Sequence, residues 1–142
     1  MKAVGIRAFG GRERLERLEV PRPEPGPDEV RIRIHASGVN PIDWKIREGL
    51  RQDRIPHVFP VVLGWEAAGS VDAVGAEVAS LAPGDAVFAY ARKDVVHDGT
   101  YAEAIALPAA NVARAPRTID AVHAACIPLA GLTAWQALDA LA

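Results

Sequence analysis

Glu66 is the first side chain in this sequence whose setting demands a chemical explanation. It is the one carboxylate in LGWEAAGSV, residues 63–71, among apolar neighbours and between Gly64 and Gly69. A strand this apolar is expected to be buried, and a buried acid needs a partner or a job. Asp43 and Arg47 stand i, i+4 in a helical pattern, a spacing that allows a structural ion pair. His35, His57, His97 and His123 are widely separated, and no two have the i, i+4 spacing of a helical zinc site. The single cysteine, Cys126, excludes an intrachain disulfide and a cysteine-rich metal site. Within AACIPLAG it is expected to be a buried, inert thiol. The chain has no Gly-x-Ser-x-Gly elbow, no Gly-x-Gly-x-x-Gly and no Walker loop. It therefore carries neither a hydrolase nucleophile turn nor a cradle for a pyrophosphate.

The elements that must position these residues read mainly as strands. Residues 2–8 and 14–20 alternate apolar and charged positions around a Gly10–Gly11 turn. Prolines at 21, 23, 25 and 27 form a polyproline-like connector that cannot donate to a sheet. In EVRIRIHAS, Val30, Ile32 and Ile34 share one face, and Arg31, Arg33 and His35 share the other. NPIDWKIREG predicts a short helix opened by Pro41 and ended by Gly49. Residues 51–60 read as an exposed loop ending at Pro60.

Glu66 lies in a strand that GSVDAVG continues, and LAPGDAVFAYA, GTYAEAIALP and NVARAP complete the β-rich portion. From Thr118, read as an N-cap, the chain turns alanine- and leucine-rich, with Pro128 opening a second helix. It reaches Ala142 inside that pattern, as a piece of a larger protein would. Short strands with Gly/Pro turns, followed by two helices, predict a compact, mainly β, barrel-like domain rather than a doubly wound sheet.

Composition narrows the class further. At 142 residues the chain suits one domain, and half of it is hydrophobic, as in ordinary globular proteins. A formal net charge of −2 and scattered arginines give no electrostatic reason to expect nucleic acid. The start, MKAVGIRAFGG, lacks the apolar core of a signal peptide, and no run is long enough to span a membrane. A cytoplasmic protein is the expectation.

Five stretches occur in order at family spacings: ASGVNPIDWKIREG (36–49), VLGWEAAGSVDAVG (62–75), APGDAVFAY (82–90), GTYAEAIALP (99–108) and IPLAGLTAWQAL (127–138). Together they resemble the zinc-independent quinone oxidoreductase branch of the medium-chain dehydrogenase/reductase superfamily. The resemblance implies a GroES-like, partly open β-barrel with short helices over residues 1–117. Residues 118–142 become a helical connector toward a Rossmann-type nucleotide-binding domain, whose fingerprint this chain lacks.

Zinc-dependent relatives carry a cysteine where this chain has Asn40, a histidine at Trp65 and a cysteine near Leu129. Residues 91–98, ARKDVVHD, stand where those relatives carry a structural zinc lobe. The resemblance therefore implies no zinc. It further implies hydride transfer from NADPH to a quinone or enone. On that likeness Asn40 and Lys45 are catalytic and cofactor-contacting, Thr133 hydrogen-bonds the nicotinamide carboxamide, and Trp65 lines the substrate pocket. Asp43 and Arg47 become a structural pair, and Glu66 a buried carboxylate held by an arginine or by backbone donors. Without a nucleotide-binding domain, supplied separately or downstream, little or no turnover is expected. The alternative is a non-catalytic GroES-like module that binds a protein partner or small molecule. An apolar face along Leu129, Leu132, Trp135 and Leu138 would fit either a missing domain or a partner.

Overall fold

A computed structural model describes residues 1–141. The elements run β1 (Lys2–Ile6), β2 (Glu16–Glu19), β3 (Glu29–Ser37), α1 (Pro41–Arg47), β4 (Val61–Val62) and β5 (Glu66–Val74). After these come β6 (Ala86–Tyr90), β7 (Ala104–Pro108), β8 (Val112–Arg114), α2 (Ala121–Ala124) and α3 (Pro128–Asp139). The strands form a three-stranded sheet ordered β2-β1-β4 and a five-stranded sheet ordered β7-β3-β5-β6-β8, all pairs antiparallel. An Ala3–Ala102 bridge and the Val4 amide on the Tyr101 carbonyl (2.7 Å) join the two sheets. The result is the mainly β, curled half-barrel expected from the pattern of short strands.

The alternation in β3 explains where the core sits. Val30 and Ile32 are wholly buried, packing with Val71, Val87, Ile105 and Leu107, while Arg33 and His35 face solvent. Each such side chain contributes about 1.5–3 kcal/mol by leaving water. A second cluster of Ile6, Ile46, Val61, Leu63 and Val96 lies under α1, with the Trp65 ring packed against it.

On the solvent side, Arg31 and Arg22 both bond Asp72, and Arg31 also reaches the Pro23 carbonyl (3.1 Å) and Glu24 (2.9 Å). Proline removes the donors through which this connector could join a sheet, so arginine supplies them instead. The Arg31 hydrogen bond holds the Asp72 carboxyl below the usual carboxylate range.

Three expectations change. Residues 12–14 form a 3-10 turn, so the second strand begins only at Glu16. The N-cap of α2 is Asp120 rather than Thr118, because the Asp120 carboxylate accepts the His123 amide (2.9 Å). Cys126 is exposed: Ala124 and Ala125 fill the space against Ala68, leaving the thiol facing outward.

In the large sheet β3 and β5 approach each other closely at one glycine. Register shifts on β3 fall between Arg31 and Ile32 and between Ile34 and Ala36, and Gly69 faces Ile34 between them. A Cβ on Gly69 would stand 1.9 Å from the Arg33 carbonyl oxygen. Gly69→Ala is expected to cost about 3 kcal/mol by overpacking. Gly84→Ala, at a φ of +96° with nothing within 4 Å of the new methyl, should cost only about 1–2 kcal/mol of backbone strain. Urea denaturation of both variants measures the contrast.

Candidate active site

Glu66 opens β5 at 2 % exposure, where three elements meet. Its Oε1 accepts Asn40 Nδ2 at 2.5 Å, and its Oε2 accepts the Leu129 main-chain amide at 2.8 Å. No arginine pairs with it; of the two expected kinds of partner, the structure holds a backbone donor, with a side-chain amide added. Leu129 lies in the first turn of α3, whose amides have no partner within the helix. The carboxylate satisfies one of them and faces the positive end of the helix dipole. Gly38 provides the clearance, since a Cβ there would lie 2.1 Å from Glu66 Oε1. The Ser37 hydroxyl donates to the Glu66 carbonyl (2.9 Å), so the 2.7 Å contact with Thr100 Oγ1 must be donated by Thr100.

A second carboxylate holds the main chain of Asn40. Asn40 is the N-cap of α1, with Pro41 at the first helical position. Asp43 Oδ2 accepts the Asn40 amide (2.7 Å) and the Tyr101 hydroxyl (2.9 Å). The Asp43 amide bonds the Asn40 main-chain carbonyl (3.0 Å), and it faces the Asn40 side-chain oxygen without a well-formed bond. Asp43 is 3 % exposed, and its Oδ1 is buried with no partner of good geometry. Burial pushes the Asp43 carboxyl up from its ordinary value, against the opposing donors Asn40 N and Tyr101 OH. Burial, and then the neighbouring Asp43 charge, push the Tyr101 phenol up as well, so it remains a neutral donor. Asp43 does not pair with Arg47. The Arg47 guanidinium turns to Glu48 (2.6 Å) and the Gly10 carbonyl (3.3 Å), because Asp43 points inward to the core.

The remaining residues differ in how they join this network. Thr133 does join it: its hydroxyl donates to the Leu129 carbonyl (2.7 Å), leaving its oxygen lone pairs for a ligand's N–H. Glu66 thus joins Asn40 Nδ2 to Leu129 N, and Thr133 stands one helical turn beyond Leu129, bonded to its carbonyl. Lys45 is outside it, with Nζ 5.5 Å from the Trp44 ring centre. Trp65 packs its ring on the cluster beneath α1, with the Arg92 guanidinium 5.9 Å from the ring centre. Asn40, Trp65 and Leu129, the three positions matched to zinc ligands, converge on Glu66 as its bonded or chain neighbours. Among the described residues, no group of three or more His, Cys, Asp or Glu is gathered as a metal site. A cleft of about 800 Å³ between β6, β8 and α3 is lined by Phe88, Tyr90, Arg92, Leu132 and Trp135, and another of about 780 Å³ reaches Ser37, Thr100 and Tyr101. Hydrogen bonding, rather than cavity size, marks this site.

Comparison with known proteins assigns the family. Residues 26–117 match the alcohol dehydrogenase GroES-like domain. The chain belongs to that family. It is 39 % identical over 140 residues to a chloroplast envelope quinone oxidoreductase homolog of Arabidopsis thaliana, covering 97 % of this chain and 42 % of that one. Among solved structures, an NAD-dependent alcohol dehydrogenase superposes with a TM-score of 0.88 at 40 % identity, over 96 % of this chain and 46 % of that one. Escherichia coli quinone oxidoreductase complexed with NADPH superposes with a TM-score of 0.86 at 32 % identity, over 97 % and 40 %. The chain thus spans less than half the length of these relatives. GroES-like domains of quinone oxidoreductases in the medium-chain superfamily are its homologues.

Sequence reading singled out Asn40, Asp43, Glu66 and Thr133 but missed Ser37, Gly38, Thr100 and Tyr101. Ordinary serines, threonines and tyrosines carry no signal until a fold brings them beside a carboxylate. Tyr101→Phe removes one donor from buried Asp43 and should cost about 2 kcal/mol at neutral pH. The folded-state pKa of Asp43 lies above its unfolded value, so Asp43 loses its charge in the folded protein as pH falls through that raised pKa. The donor serves the charged form, so the penalty should shrink over the same interval. Urea titrations of both proteins across that range test this.

Proposed function

We propose that this chain is the catalytic-domain portion of a zinc-independent oxidoreductase that uses NADPH to reduce a quinone or an enone. The observation that carries the reading is the pair of hydrogen bonds by which Glu66 holds Asn40 and the helical turn that leads to Thr133, the two residues the family resemblance sets against a nicotinamide. Their chemistry fits that ligand. Thr133, having committed its proton to Leu129, meets a carboxamide N–H as an acceptor, and Asn40 is held in one orientation by Glu66. When bound, NADPH supplies the hydride. The chain's own part is to hold the ring and acceptor in register, with Trp65 as a fixed wall.

The donor set at the three zinc positions supports a reaction without that metal. It consists of a carboxamide whose nitrogen is given to Glu66, an indole and a main-chain amide, and none of these is a ligand zinc favours. Two relatives point to quinone chemistry by name, and one of them was solved with NADPH. The contacts to adenosine and pyrophosphate would come from a nucleotide-binding domain, so this chain alone should turn over little or not at all.

The purified 142-residue chain is expected to show no NADPH-dependent quinone reduction. Joined to the nucleotide-binding portion of the Arabidopsis relative, it should reduce quinone without added zinc, and Thr133→Ala should raise KM for NADPH roughly fivefold. Turnover by the chain alone would contradict its dependence on a second domain. An inert but folded fusion would favour a second reading, a non-catalytic module that binds a partner through the exposed Leu132, Trp135 and Leu138 of α3.

A further inference from the structure

We propose that Glu66 is a positioning residue, one that sets the orientation of the Asn40 carboxamide and the seat of the first turn of α3 through a single carboxylate. The proposal deepens the reading above and rests on Asn40 and Thr133 being the residues that meet the nicotinamide.

Both partners of Glu66 are donors, Asn40 Nδ2 and Leu129 N, and each carboxylate oxygen takes one of them. A carboxylate is the acidic side chain's acceptor-only state, so it complements two donors without conflict. While Glu66 accepts on that side, the Asn40 amide can face it only with its nitrogen, which fixes the disposition of its carbonyl oxygen. The other oxygen of Glu66 anchors Leu129, whose carbonyl takes the Thr133 proton and so leaves Thr133 an acceptor. One carboxylate therefore holds a donor from each of two helices, and Thr133 lies one turn beyond the second of them. The carboxylate has little freedom to do otherwise. It is 2 % exposed, Gly38 packs against Oε1, and its own carbonyl is held by Ser37. The adjacent Asp43 holds the Asn40 main chain with its carboxylate, and its amide faces the Asn40 side-chain oxygen, which favours the same orientation that Glu66 imposes on the nitrogen.

Glu66→Gln makes the test sharp, because it preserves shape and replaces one acceptor by a donor. The substituted carboxamide can satisfy Leu129 only by presenting its NH₂ to Asn40, and Asn40 could accept it only by turning its own NH₂ against the Asp43 amide, so one of the two bonds is lost. Adding Asn40→Asp to Glu66→Gln restores complementarity, since a carboxylate at position 40 can accept from the new NH₂. The measurement is ¹⁵N–¹H NMR with hydrogen exchange on the full 142-residue chain, with the Ile32 and Ile105 amides reporting that the sheet is intact. In Glu66→Gln, the Asn40 side-chain NH₂ or the Leu129 amide should exchange roughly tenfold faster. The Thr133 amide signal should move, and the double variant should recover the protection of Leu129. Unchanged Asn40, Leu129 and Thr133 signals in Glu66→Gln overturn the proposal, and so does a double variant no better than the single one.

If Glu66→Gln loses the sheet amides, Asn40→Ala decides the matter. It deletes one of the two donors on Glu66 while leaving the Leu129 bond, and the proposal requires Leu129 and Thr133 signals to shift; unmoved signals overturn it. None of these measurements uses a cofactor. A fusion active in quinone reduction whose relay signals ignore Glu66→Gln sinks the positioning role alone. An inert fusion with the relay intact sinks the cofactor reading.

Discussion

A carboxylate taken out of water must be given donors, and at Glu66 that requirement organises the functional end of the domain. Two donors arrive from different helices, one on the N-cap side chain of α1 and one in the first turn of α3. Because a carboxylate has two oxygens, it can hold both helices at once against the start of β5. A neutral side chain of the same shape would offer one acceptor and one donor, and could not do so with Asn40 in its present orientation. The neighbouring glycines follow from this demand. Gly38 is bare because a methyl would displace Oε1, and Gly64 takes a φ of +95° as the chain turns beneath Thr100 and Tyr101 into β5.

The second buried acid, Asp43, has a complementary role. It holds the main chain of Asn40 and takes the Tyr101 hydroxyl, tying α1 to the turn that precedes β7. Its carboxyl is pushed upward by burial, with Tyr101 and the Asn40 amide opposing. The two acids therefore both bear on Asn40, the Asp43 carboxylate on its backbone amide and the Glu66 carboxylate on its side-chain nitrogen. The hydroxyls of Ser37 and Thr100 add a further brace to the Glu66 carbonyl, so the strand end is held as firmly as the side chain.

Asn40, Trp65 and Leu129, the positions that the family resemblance compares with zinc ligands, gather around one point, and that point is a hydrogen-bonded carboxylate. Two of them now hold Glu66, and the third fills the apolar cluster under α1. Beyond Leu129, α3 leaves the barrel, and Leu132, Trp135 and Leu138 are exposed along it. The chain spans less than half the length of the relatives it matches.

What the sequence determined by itself was local. Period-two alternation in EVRIRIHAS placed Val30 and Ile32 in the core, Pro41 opened α1, and five ordered stretches identified the family, because side-chain periodicity and turn chemistry act over a few residues. Where the reading stayed local but lacked a partner, it slipped. Asp43 and Arg47 had the spacing of an ion pair, yet burial turned Asp43 toward Tyr101. Cys126 sat in an apolar run, yet the smaller alanines beside it took the inward positions. The site itself was decided only by the tertiary structure. Glu66 meets Asn40 across 26 residues and Leu129 across 63, and Asp43 meets Tyr101 across 58. Which donor satisfies a buried acid depends on which strands pair and how the sheet curls, and no local pattern records that.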